Sequence, residues 1–161
     1  MADKEQTTET WGKPSAFDTP EQEALLNIMR THSFLSVQHD RLFKQHDITS
    51  QQYNILRILR THKATGLPSL TIGSKMVTCV PDITRILDRL VKAEYVTRER
   101  SLEDRRVVLI KITKAGEKLL SLLDQPVRES EQGSLAHMSK KDLKELVRLL
   151  HKVRKSNVIK T

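Results

Sequence analysis

Between Val80 and Ile112 the spacing of apolar residues changes period, and that change restricts the fold more than any other feature of the chain. Ile83, Ile86, Leu87 and Leu90 recur at i, i+3, i+4 and i+7, the signature of one apolar face on a helix covering about Val80 to Ala93. Tyr95-Val96-Thr97-Arg98 and Val107-Val108-Leu109-Ile110-Lys111-Ile112 then alternate, which predicts two strands around the polar turn RERSLEDRR. A helix running straight into a hairpin with a basic tip excludes a pure helical bundle.

The flanking segments read as helices. One begins at about Glu21, with Pro20 at its mouth and Glu21 and Glu23 in the turn where the dipole favours acids, and runs to about Gln45. Asp47 or Thr49 caps a second helix carrying Tyr53, Leu56 and Leu59. Gly66 closes a linker, and residues 68–76 form a short third helix. After the hairpin, Thr113 caps TKAGEKLLSLL, although Gly116 weakens its first turns. Residues from Pro126 to Gly133 interrupt that helix or mark its end. A last helix covers Ser139 to Asn157, opened by Ser139 and Asp142 in a near capping box. The expected organisation is a mobile arm over 1–20, a helix over 21–46, a central domain over 47–113 and helices over 114–161.

Charge narrows the partners. The 161 residues carry 28 Lys and Arg against 20 Asp and Glu, for a net charge of +8. Residues 1–23 have two basic and six acidic side chains, whereas residues 60–118 have thirteen basic and seven acidic. A basic middle suits a polyanion, nucleic acid above all, or else is a solvated surface. The longest aliphatic run, Val107 to Ile110, is far short of the roughly 18 residues that span a bilayer, so no membrane partner is expected. The first residues lack an apolar core of a secretory signal, and the single Cys79 excludes an internal disulfide, so a cytoplasmic setting follows. No nucleophile–base motif, phosphate loop or metal-ligand motif is present, so neither an enzyme nor a bound cofactor is expected.

Two short helices joined by a tight turn and followed by a hairpin describe a winged helix-turn-helix, a mainly α fold with a two-stranded wing. A helix fits the major groove of duplex DNA, and a hairpin with arginines at its tip can reach the adjacent minor groove. The stretch from Ile48 to Leu120, above all ITRILDRLVKAEYVTR and EDRRVVLIKITKAG, resembles the MarR family of bacterial transcriptional regulators. The resemblance implies a homodimer held by the N- and C-terminal helices, bound to double-stranded DNA at a palindromic operator as a repressor. A small aromatic or phenolic ligand would modulate it.

Residue roles follow from both lines. With the apolar face turned inward, Asp82, Thr84, Arg85, Asp88 and Arg89 lie on the outer side of the helix. Thr84 and Arg85 match the family's Thr-Arg pair and are the foremost groove contacts; Thr78, Asp82 and Arg89 complete the helix set. Asp104 and Arg106 match the family's Asp-x-Arg, which implies that Asp104 ties down the wing by an ion pair while Arg106 enters the minor groove. Arg105 is then a phosphate contact. Two positions depart from the family: Glu94 stands where a glycine usually closes the helix, at about 1 kcal/mol of cost, and Gly73 stands where alanine is usual.

Leu25, Ile28, His32, Leu35, His39, Leu42 and His46 recur three and four apart, a seam resembling a heptad. Histidines seven apart are about 10 Å apart along the axis, too far to share a metal unaided. They are edge residues of a dimer seam, or His32, Leu35 and His39 line the effector crevice that the resemblance implies. Cys79, beside the N-terminus of the recognition helix, is the candidate for an alternative, oxidant-responsive switch. A winged-helix module for protein–protein contact is the other alternative.

Overall fold

The computed structural model describes residues 17–78 and 80–156. Cys79 lies outside the described residues, as does the expected arm up to residue 16. The described residues fall into two compact units divided between Val37 and Gln38, and helix α1 (Pro20–Lys44) spans the division. Thr19 starts it: its Oγ1 accepts from Gln22 N at 3.2 Å, and Gln22 Oε1 accepts from Asp18 N at 2.9 Å. Pro20 then occupies the first helical position, where its missing N–H costs nothing. In the first unit Leu25 and Met29 of this helix are each 59% exposed, and Phe34 and Val37 are similarly uncovered. His46, the last member of the expected seam, falls beyond the helix end, its N bonded to Phe43 O.

The second unit continues with α2 (Ser50–Arg60), β1 (Leu67–Pro68), α3 (Ser69–Lys75), α4 (Ile83–Lys92), β2 (Val96–Arg100), β3 (Val108–Ile112), α5 (Lys114–Ser134) and α6 (Lys140–Ser156). Of the two candidate caps for α2, Thr49 performs the role. It forms a full capping box with Gln52, with bonds of 3.2 and 2.8 Å. Asp47 instead turns the chain in the left-handed region, at φ 55°. Ile55, Leu56 and Leu59 of α2 lie at the centre of the core, closed in by Ile72 of α3, Leu87 and Leu90 of α4, and Leu120 and Leu123 of α5.

The two strands of the expected wing, β2 and β3, pair as the sequence indicates, and β1 adds a third strand to the sheet. Its order is β1-β3-β2, all antiparallel, with Leu67 opposite Ile110 and Val96 opposite Ile112. β1 is only two residues long, too short to show a period, and Pro68 cannot donate to a ladder, so it sits at an edge. Gly66 makes the approach possible: it holds φ 69°, and a Cβ there would stand 2.8 Å from Ile110 O.

Two helices differ from expectation. Helix α4 starts at Ile83, three residues late, because Asp82 takes the cap and accepts from Arg85 N at 3.0 Å. α5 runs unbroken through Pro126 to Ser134. Proline deletes the bond to the carbonyl of Leu122, an exposed residue. Leu120, Leu123 and Val127, buried at helical spacing on either side of Pro126, hold the helix together by packing. α6 begins as the sequence indicates, with Asp142 N donating to Ser139 Oγ at 3.2 Å.

α4 and α5 meet through a hydrogen-bonded junction. Tyr95 N donates to Leu90 O at 3.0 Å and Glu94 N to Val91 O at 2.9 Å, the paired bonds of a Schellman motif. Its left-handed residue is Glu94, at φ 59°. Thr113 then serves both helices: its Oγ1 donates to Glu94 O at 2.7 Å and accepts from Gly116 N at 3.1 Å, while its N donates to Tyr95 O at 3.0 Å. Gly116 is buried where a Cβ would collide with Tyr95 O and lie 2.9 Å from Ile112 Cγ1.

Candidate nucleic-acid interface

α4 is strongly amphipathic. Leu87 and Leu90 are buried and Ile83 and Ile86 pack half-buried against the core, which leaves Thr84, Arg85, Asp88 and Arg89 exposed together. The turn leading into α4 is pinned to α2, since Val77 N donates to Asn54 Oδ1 at 3.0 Å. Thr78 follows that anchor, exposed. Asp82 is exposed too, with its carboxylate engaged as the N-cap. Among the described residues, no carboxylate pairs with the guanidinium of Arg85, Arg89 or Arg105. Three uncommitted cations therefore face solvent.

The wing is ordered from strand to tip. β2 and β3 pair from Val96–Ile112 out to Arg100–Val108, and Lys111 Nζ reaches Glu99 Oε2 across them at 2.8 Å. Asp104 binds Arg106 twice through the side chain, with Nε to Oδ1 and Nη2 to Oδ2 both at 3.1 Å, and once through Arg106 N at 3.0 Å. The ion pair expected of Asp104 is thus made with Arg106 itself. The Arg106 side-chain bonds, and secondarily its backbone N–H, hold the Asp104 carboxyl below its ordinary range. Arg106 nonetheless remains 91% exposed. Its fork is held in place while its outer edge stays open to a ligand.

Helix and wing are joined by Arg98, whose Nη2 lies 2.6 Å from Asp88 Oδ1. Behind them, Arg60 of α2 grips Asp124 of α5 with bonds of 2.7 and 2.8 Å. Neither link is legible in the sequence, because each joins residues on different elements whose approach only the packing fixes. The Asn54 anchor escapes sequence reading for the same reason.

The proposed effector residues occupy α1. His32 is exposed, and Leu35 and His39 are half-buried. The His39 ring meets Phe43 edge-on, centroids 6.2 Å apart. An open depression of about 550 Å³ lies where α1 hands over to α2, walled by Asp40, Lys44, Asp47 and Ile48. None of His32, Leu35 or His39 lines it. Among the described residues no helix is long and apolar enough to cross a membrane, and no three metal-binding side chains converge.

Comparison with known proteins agrees with this geometry. Residues 48–108 match the MarR family. The chain is 32% identical over 113 residues to the HTH-type transcriptional regulator FarR of Neisseria gonorrhoeae, covering 69% of this chain and 76% of that one. The crystal structure of a MarR transcription factor from Planctomyces limnophilus shares 40% identity and a TM-score of 0.65, over 84% of this chain and 98% of that one. The S. aureus MepR–DNA complex superposes with a TM-score of 0.73 at 25% identity, over 83% and 96% of the two chains. On the strength of these similarities and of the helix, turn and wing described above, the chain belongs to the MarR family of winged helix-turn-helix, DNA-binding transcriptional regulators.

Proposed function

We propose that the protein is a cytoplasmic, homodimeric repressor that covers a promoter by binding a palindromic operator. Thr84, Arg85 and Arg89 enter the major groove, with Thr78 at its edge and Asp82 fixing the end of the helix. Arg105 holds a phosphate, and Arg106, ordered by Asp104, reaches the minor groove. The observation that carries this reading is the pairing of unpartnered Arg85 and Arg89 on α4 with the ordered, exposed Arg106 on the wing, joined through Asp88 and Arg98. Apolar residues stay uncovered on α1, among them Leu25 and Met29, and separately on α6, among them Val147 and Leu149, and each set is available to a second copy. Two-fold symmetry then sets the recognition helices about one turn of DNA apart.

The test is duplex binding across salt, using the tightest sequence that the wild-type protein recovers from a random pool of duplexes. Arg85→Ala and Arg106→Ala are each expected to flatten the slope of log K against log salt by about one unit. Arg85→Ala should also lose about 1–3 kcal/mol of discrimination at one base pair. A monomer in light scattering that binds no duplex at low salt overturns the reading. For the effector, His32→Ala and His39→Ala should raise the concentration of salicylate that half-releases DNA; unchanged values remove these residues from the ligand site.

A further inference from the structure

Leu102, at the apex of the wing, is 101% exposed. It is the only apolar side chain between Arg100 and Val107. The loop that carries it is fixed rather than slack. Glu103 N and Asp104 N donate to Ser101 Oγ at 3.2 and 3.4 Å. Ser101 N donates to Val107 O and Val107 N to Asp104 O, both at 2.9 Å. Arg106 N and side chain close on Asp104.

A single surface leucine is ordinary and by itself calls for no partner. This one differs in its setting: an ordered loop presents it whole, four residues from an arginine that is itself ordered and exposed. It packs on nothing and so contributes no folding energy that would account for it. The minor groove of DNA offers the matching surface, with apolar deoxyribose walls, and leucine is among the side chains that proteins wedge there.

We propose that Leu102 is an apolar minor-groove contact, entering beside Arg106 and packing against the sugars and base edges. The arginine supplies attraction to the groove's negative potential, and the leucine supplies affinity that owes nothing to charge. This inference rests on the DNA-binding reading above, and it separates from that reading by its salt signature. Displacing water from an apolar contact releases no counterions, so the leucine leaves the salt slope untouched.

The experiment measures binding of wild type, Leu102→Ser and Leu102→Met to the duplex recovered from the random pool, across salt. The side chain touches no core residue, so both variants keep the fold. Leu102→Ser is expected to weaken binding about fivefold at every salt concentration, with a slope parallel to wild type. Leu102→Met should restore most of the loss. Wild-type affinity in Leu102→Ser, equal losses in both variants, or a flattened slope in Leu102→Ser overturns the proposal while leaving DNA binding in place. A wild-type protein that recovers no duplex overturns the parent reading instead.

Discussion

Asp88 on α4 and Arg98 on β2 form a 2.6 Å ion pair that ties that helix to the base of the wing. Both side chains are partly exposed, so the pair adds at most about 1 kcal/mol to stability. Its larger effect is angular, because it sets how far the wing leans from the helix. Arg98→Gln should therefore leave the urea midpoint nearly unchanged while weakening duplex binding several-fold. Binding equal to wild type would reduce the pair to a surface contact.

Glu94 closes the recognition helix in a backbone conformation that glycine adopts without a Cβ penalty. Glu94→Gly should stabilise the protein by about 0.5–1 kcal/mol in urea unfolding. Glu94→Ala, which keeps the Cβ, should not. A destabilised glycine variant would mean that the glutamate side chain contributes more than its backbone strain costs.

Gly116 is under the opposite constraint. A methyl group there would press on Tyr95 O and Ile112, both parts of the Thr113 junction. Although alanine is the better helix former, Gly116→Ala should destabilise by about 1–3 kcal/mol through this overpacking. Thermal unfolding reads the sign directly, since propensity alone predicts a gain of about 1 kcal/mol.

Hydrogen bonds from Arg60 hold the Asp124 carboxyl below its ordinary range, with burial opposing them. Because the folded state binds this proton more weakly than the unfolded chain, the stabilisation is complete above the unfolded value near 4. It is lost as pH falls through the lower folded value. Asp124→Asn should thus flatten the decline of unfolding free energy below about pH 4, while lowering stability at neutral pH. An unchanged acid profile would show that other carboxylates govern it.

The sequence disclosed most of the helices because their apolar residues recur at 3.6-residue spacing on faces that the core buries, as with Ile83 to Leu90 in α4. The missing glycine at Glu94 showed against the pattern of the MarR family, and the structure gives its physical content, a left-handed φ of 59° at that residue. β1 was hidden: two residues carry no period, and Pro68 argues against a strand on composition. Pro126 misled in the other direction, because buried neighbours on both sides outweigh one lost hydrogen bond. At the interface, the outward side chains of α4 could be named, but not the Asp88–Arg98 link or the Ser101 loop, which depend on how separate elements come together.

Thr113 ties the turn that closes α4 to the first turn of α5. One hydroxyl donates to the carbonyl of Glu94, two residues past the end of α4, and accepts from the amide of Gly116 in the first turn of α5. A shift of the first turn of α5 therefore bears directly on the turn that closes α4.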